Sequence, residues 1–408
     1  MRYSDEEQLE IAKLEYKDLK EGQKISINEG DIEIGYVAKV INNKETGEQS
    51  FIITDGNPSK QKAGDVESVV VLYRGSTAPG VNNLLSKDVR ADWLGNDAPI
   101  AQQIVTNKFT GPTPQLVSSS ETLDKAMKKY GNALFDVYGH SLGSMNGQYA
   151  LANAKYPERI RNAYLYEGPN IYGLLTNNQK KQADGLKKRI YNYIDLKDKV
   201  PIGYDLKGIG IIVFIDSKDG KDLIDQHMWG GYQFDNNGNL LYPQGKMITV
   251  RTAQTEMFIA DQMRTLGKLA AKLQASGGTL SASEQVYLDS ESTLAVSNGV
   301  YQLVEQAVID LENTYNETIQ SIEKLWPKTL KSARSIGVNL NEAEIIEALQ
   351  AGGCNKQTLV DEPIAKMIAK LAEVKAVGQD YKQIVDQIKS GVEKQLAADQ
   401  DLARQVAG

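Results

Sequence analysis

Residues 133–154, ALFDVYGHSLGSMNGQYALANA, join a continuous apolar run to a helical one through Ser141, with Gly139 and Gly143 two positions away on either side. Few folds accommodate such a stretch. A strand must enter, the chain must turn sharply, and a helix must leave at once. Glycines at 139 and 143 let the backbone turn without a Cβ clash. The turn pushes the Ser141 hydroxyl out of the sheet. At the helix start, the N–H of Leu142 has no partner within the helix and is free to hold a developing oxyanion.

The rest of the first part of the chain fits a sheet around this strand. Segments 25–27, 32–40 and 51–54 read as strands separated by Asn/Gly turns, and Ser68 to Tyr73 (SVVVLY) reads as a strand buried on both faces. Further runs follow at 133–138, 161–166, 189–194 and 211–215, with helical stretches at 119–130 and 144–154. Strands alternating with helices predict an α/β domain with a mostly parallel sheet.

Near residue 250 the pattern changes. Nine of the eleven prolines lie before that point, and only Pro327 and Pro363 after it. Apolar residues then step at helical spacing: Ile259, Met263, Leu266, Ala270 and Leu273; Val300 through Trp326; and Val385, Ile388, Val392 and Leu396 after a helix at 364–377. Breaks are expected at SGGT (276–279), Trp326-Pro327 and AGGC (351–354). The expected organisation is a catalytic α/β domain over 1–250 and an elongated, all-α domain over 251–408 whose stripes pack together or receive a partner helix.

Composition narrows the chemistry. The 408 residues include one cysteine, Cys354, so an intrachain disulfide and a Cys-rich metal site are both excluded. A net charge of −7 argues against a nucleic-acid partner. No run of 18 apolar residues is present, and the acidic start, MRYSDEEQLEIAKLEYKDLKEG, lacks the basic and apolar regions of a secretory signal. The expectation is therefore a cytoplasmic protein or one exported by a route that reads another signal.

A serine needs a base, and only His140 and His227 offer an imidazole. His140 precedes the serine on the turn, where its side chain is expected to point away from the nucleophile. By elimination His227 is the base. Met228 and Trp229 beside it either pack the imidazole, border an acyl site, or belong to the core. The third member is a carboxylate that orients the imidazole, in the chain order Ser, Asp, His. Asp195 and Asp198, at the end of a strand, are the candidates. Asp198 is preferred, and Asp205, Asp216 and Asp219 rank below them.

Together, GHSLG, the Asp-x-Val-Pro at Asp198 to Pro201, and VVVLYRGST resemble the class 3 lipases of the α/β-hydrolase superfamily, over about residues 5–245. The resemblance implies that Asp198 is the catalytic acid and that Ser76, after Arg74-Gly75, supplies the second oxyanion N–H beside Leu142. It also implies a lid or substrate wall between Ser76 and Asp97, with Leu84, Leu85 and Trp93 as its apolar contacts, although a plain surface loop fits that segment equally. One departure is the short spacing of 29 positions between Asp198 and His227.

A lipase-like domain followed by a helical one resembles the type VII-secreted lipases, with the helical targeting region at the C-terminus, the reverse of the usual LXG effector order. That resemblance implies export without a Sec signal peptide and small helical chaperone or targeting proteins docking on the C-terminal helices. Tyr287 to Glu291 fits a Tyr-x-x-x-Asp/Glu export pattern, which also occurs at Tyr3 to Glu7 and Tyr191 to Asp195. The expected activity is hydrolysis of lipid acyl esters, phospholipase A1-type, with no cofactor, no metal and transient contact with a membrane surface. The alternatives are a cytoplasmic carboxylesterase or thioesterase with a helical dimerisation arm, and an inert hydrolase fold acting as a binding module.

Overall fold

A computed structural model describes residues 3–76, 111–204, 207–242 and 247–407. The chain divides into two compact units, Met1–Met257 and Phe258–Gly408.

Among the described residues the first unit is built on an eight-stranded sheet, with the strands side by side in chain order. They are β1 (Lys24–Ile27), β2 (Ile32–Asn42), β3 (Gln49–Thr54), β4 (Ser68–Tyr73), β5 (Leu134–His140), β6 (Ile160–Tyr166), β7 (Ile190–Ile194) and β8 (Ile211–Phe214). β1 to β4 pair antiparallel, and β4 to β8 run parallel. Among the described residues the unit also holds helices α1 (Asp5–Lys13), α2 (Pro114–Lys129), α3 (Leu142–Asn153) and α4 (Asn177–Gly185), with the start of α5 (Met247–Gly277).

The central strands are buried on both sides because each residue parity has its own core. Val69, Val71, Phe135 and Val137 pack with Leu123 and Met127 of α2 and Ala150 of α3. Val70, Leu72 and Tyr138 face the other way, toward Leu9 and Ile11 of α1. On that second face the strand register sets Tyr138, Tyr164 and Tyr191 opposite one another as stacked rings 5.2 and 5.6 Å apart, with Tyr166 on Tyr193 at 4.9 Å. Such cross-strand aromatic pairs stabilise by more than their buried area. Helix α2 begins earlier than the apolar spacing suggests, because Thr113 accepts the N–H of Leu116 and Pro114 fits the first turn.

The second unit is helical: α6 (Ala282–Glu323), α7 (Leu325–Ile336), α8 (Glu342–Ala351) and α9 (Glu362–Ala407). At 1.5 Å per residue, α6 and α9 are rods about 60 to 70 Å long. They pack antiparallel, because Ser283 bonds Asp399 at one end while Glu312 pairs with Lys375 at 2.5 Å further along. The sequence suggests a helix over 364–377 and a separate stripe from 385, but one helix runs through both. A lone glycine costs only about 1 kcal/mol in a helix, and Gly378 sits against Val308, where a Cβ would crowd the valine side chain. The expected break at Trp326-Pro327 falls instead at Lys324, so Pro327 lies in the first turn of α7, where its missing N–H is harmless. Ser281 and Glu284 form a capping box that starts α6.

Candidate active site

Every sequence-derived candidate for the site that lies within the described residues follows the C-terminal end of one of the parallel strands, the edge where open α/β sheets form their sites. Ser76 comes after β4, Ser141 after β5, Asp198 after β7 and His227 after β8.

Ser141 has φ 56° and ψ −123°, a backbone conformation that costs a non-glycine residue roughly 1–3 kcal/mol. The surroundings hold it there. Its N–H donates to the Tyr166 carbonyl at 2.9 Å, and its own carbonyl accepts the N–H groups of Ser144 and Met145. Gly139 and Gly143 are required by close approach: a Cβ on the first would run into the Gly143 carbonyl, and on the second into the Tyr73 carbonyl. The helix thus starts directly against two strand ends.

His227 follows a single helical turn, Leu223–Asp225, which Asp222 caps by accepting the N–H groups of Ile224 and Asp225. Its Nδ1 lies 2.6 Å from Asp198 Oδ2 and its Nε2 lies 2.9 Å from Ser141 Oγ. A carboxylate can only accept, so Nδ1–H donates to Asp198 and Nε2 is left to accept the serine proton. The Asp198 side chain is 2 % exposed against 18 % for His227, so the carboxylate is shielded while the imidazole reaches solvent. Asp198 Oδ1 also accepts the Val200 N–H at 3.0 Å, which fixes the carboxylate plane.

Asp195, the other sequence candidate, makes no bond to His227 among those described. Its Oδ1 accepts the Lys197 N–H at 2.8 Å and the Ser217 hydroxyl at 2.5 Å, and its Oδ2 accepts Gln226 Nε2 at 2.5 Å. It ties the loop that carries Asp198 to the segment that carries His227. Beside it Glu167, also buried and with φ 49°, accepts the Asp195 N–H and the Tyr232 hydroxyl. Burial, with the Asp198 charge nearby, holds its carboxyl well above the ordinary carboxylate range.

Leu142 is the first residue of α3 and is buried. Gly75 is wedged against the elbow, since a Cβ there would press on the His140 carbonyl and the Tyr16 hydroxyl. Ser76 therefore leaves the β4 end immediately beside the nucleophile turn. Leu84, Leu85 and Trp93, the expected lid and substrate contacts, lie outside the described residues, as does Asp205. Trp229 packs on His140, with ring centroids 4.0 Å apart, as part of the core beneath the base. Among the described residues no group of three or more His, Cys, Asp or Glu side chains is arranged to hold a metal ion, and no helix is long and apolar enough to cross a membrane.

Sequence reasoning passed over Glu15, Tyr16 and Gln226 and set His140 aside. Glu15 is buried and accepts the N–H groups of Gly75 at 3.0 Å and His140 at 3.2 Å. It thereby joins the β4 and β5 ends that flank the site. It sits in the 3-10 turn Leu14–Tyr16 that follows α1, and no local sequence signal marks it.

A serine on a strand–elbow–helix turn, with an aspartate and a histidine following it in chain order at the ends of later strands, defines the α/β-hydrolase type of fold. No protein-family profile matches the sequence, and no curated protein matches it significantly. Among solved structures, a mutant form of MDLA from Penicillium cyclopium aligns over 59% of this chain and 86% of its own, at 13% identity and a TM-score of 0.33. The Lip2 lipase from Yarrowia lipolytica aligns over 59% of this chain and 83% of its own, with the same identity and TM-score. At these values neither likeness carries weight for the chemistry.

Proposed function

We propose that the first unit is a serine ester hydrolase acting on lipids, similar to the class 3 lipases and of phospholipase A1 type. The observation that carries this reading is the unbroken chain of hydrogen bonds from Ser141 Oγ through His227 to Asp198. Ser141 Oγ attacks the ester carbonyl while His227 Nε2 takes its proton. The N–H groups of Leu142 and Ser76 hold the oxyanion. His227 then returns the proton to the leaving alcohol, and an acyl-serine remains. Water, deprotonated by the same imidazole, attacks that ester and releases the fatty acid. Asp198 holds the Nδ1 proton throughout, so the neutral imidazole keeps Nε2 free to accept and the imidazolium is stabilised.

A lipid substrate is supported by three apolar side chains. Leu196 stands exposed on the loop of the acid, and Leu223 and Ile224 on the turn before the base. Exposed apolar residues grouped at a site are suited to an acyl chain or a lipid surface. For the second unit we infer a partner-binding role like that of a type VII-secreted effector. Its support is the stripe of Val377, Tyr381 and Ile384 on α9, at helical spacing and exposed.

The test is fatty-acid release from phosphatidyl lipids labelled at sn-1 or sn-2, with Ser141→Ala as control. Release from sn-1 that vanishes in the variant is the expected result. Activity confined to short soluble esters would replace this reading with the esterase one. Failure of a fluorophosphonate to label Ser141 would leave a binding module.

A further inference from the structure

His140 lies next to the nucleophile in sequence but serves the base. Its imidazole is wholly buried, with its ring centroid 4.6 Å from that of His227. Its Nε2 lies 2.8 Å from the backbone carbonyl of His227, and its Nδ1 lies 2.6 Å from the Tyr16 hydroxyl. A carbonyl only accepts, so Nε2 carries the proton, and Nδ1 of the neutral ring accepts from Tyr16. Burial, together with the neighbouring His227, pushes the His140 pKa well below the ordinary histidine value, which keeps the ring neutral.

The carbonyl that His140 holds is one the helix has released. Met228 and Trp229 leave helical geometry, the latter with φ 65°, so the chain turns away directly after the base. A carbonyl at such an exit has no ladder partner of its own. Trp229 closes the arrangement by lying over the His140 ring, with Tyr16 at its edge, 6.2 Å away between centroids. The base is thus gripped twice, at its ring by Asp198 and at its backbone by His140.

We propose that His140, kept in the Nε2–H tautomer by the His227 carbonyl and braced at Nδ1 by Tyr16, is a positioning residue that sets the reach of His227 toward Ser141. The proposal deepens the hydrolase reading and rests on it for its kinetic arm. A misplacement near 1 Å can cost on the order of 10²-fold in rate, so losing this grip acts on turnover rather than on substrate affinity.

Two histidines make the experiment simple, because they occupy opposite tautomers. In protein labelled with ¹⁵N-histidine, one imidazole should show the Nδ1–H pattern and the other the Nε2–H pattern. His140→Gln should remove only the second. His140→Leu should also broaden or abolish the hydrogen-bonded Nδ1 proton of His227, whereas His140→Gln, which keeps a donor at the Nε2 position, should preserve it. On p-nitrophenyl butyrate, His140→Leu should lower kcat by roughly 10- to 100-fold with KM changed little, and His140→Gln should recover most of that loss. Tyr16→Phe, which leaves the His227 carbonyl in place, should keep the Nε2–H tautomer of His140 and lower kcat less than His140→Leu does.

An Nδ1–H tautomer at His140, or a His140→Leu protein with a normal His227 proton and normal kcat, would overturn the proposal. Equal damage from Gln and Leu would reduce His140 to packing. A wild-type protein without esterase activity or phosphonate labelling would overturn the hydrolase reading instead, and the spectroscopic arm alone would then decide the positioning role.

Discussion

Replacing Asp198 by Asn separates the two acidic candidates and depends on one detail of the site. Asp198 Oδ1 accepts the Val200 N–H at 3.0 Å while Oδ2 faces His227 Nδ1 at 2.6 Å. An asparagine keeps its oxygen on Val200, because the reverse orientation sets two buried donors against each other at a cost of about 1–3 kcal/mol. Its amide NH₂ then points at Nδ1. The imidazole responds by moving its proton to Nε2, which aims a donor at Ser141 Oγ and leaves nothing to accept the serine proton. The expected loss in kcat is on the order of 10⁴, about 5.5 kcal/mol of barrier, with the fold intact. The matched variant is Asp195→Asn. There the new NH₂ meets the amide of Gln226, which cannot turn because its Oε1 accepts the Gly220 N–H at 2.6 Å. That variant should lose about 1–3 kcal/mol of stability and less than about 10-fold in kcat. Turnover of p-nitrophenyl butyrate and urea unfolding on both proteins give the answer. An Asp195→Asn enzyme as inactive as expected for Asp198→Asn, or an Asp198→Asn enzyme within 10-fold of wild type, would refute the assignment.

Gly143→Ala drives a Cβ into the Tyr73 carbonyl, a backbone atom that cannot yield; it should cost roughly 3 kcal/mol or more in urea unfolding, or leave no soluble protein. Glu15→Ala strands the N–H groups of Gly75 and His140 at about 1–3 kcal/mol each, whereas Glu15→Gln keeps an acceptor for both. Burial holds the Glu15 carboxyl well above its usual range, so the native state retains a proton that the unfolded chain has already released. Stability from this group falls as pH rises from about 4.3 toward the native value, and the advantage of Glu15→Gln over wild type should grow by up to about 1.4 kcal/mol per pH unit in that window. His140 has the opposite sign, since the unfolded chain takes up a proton below about pH 6.5 and the buried ring does not. Wild type should therefore lose up to about 1.4 kcal/mol per pH unit relative to His140→Gln as pH falls from 6.5, read from urea midpoints at pH 7.5, 6.5 and 5.5. A difference independent of pH would mean that His140 titrates normally.

Much of the site is legible because its chemistry is tied to short sequence patterns. Gly139-x-Ser141-x-Gly143 carries its own steric explanation, and the structure shows both glycines pressed against carbonyl oxygens. The scarcity of histidine turns the search for a base into elimination, and His227 lies within hydrogen-bond distance of Ser141. The helical unit is equally plain from its apolar spacing, although its breaks are less so. Gly378 looks like an interruption in sequence and is a close-packing point on Val308, and Pro327 looks like a break and is tolerated in a first turn.

The residues that were missed work through distance. Glu15 meets Gly75 and His140 across 60 and 125 positions, and Tyr16 meets His140 across 124. Nothing local in LEYKD marks a carboxylate or a phenol as part of a site formed by strands four and five. Asp195 and Asp198 differ by three positions in one loop, and only the turn between them, with Ser217 and Gln226 claiming the first, leaves the second to face the base. Pattern and composition by themselves singled out Ser141 and His227 as candidates and determined the alternation of strands with helices and the change to helix near residue 250, because each follows from local sterics, residue supply or periodicity. That Asp195 is taken up by Ser217 and Gln226 while Asp198, already preferred in sequence, faces His227, and that His140 bonds the His227 backbone, is visible only in the tertiary structure, because a hydrogen bond depends on where two atoms end up and the intervening chain does not encode that locally.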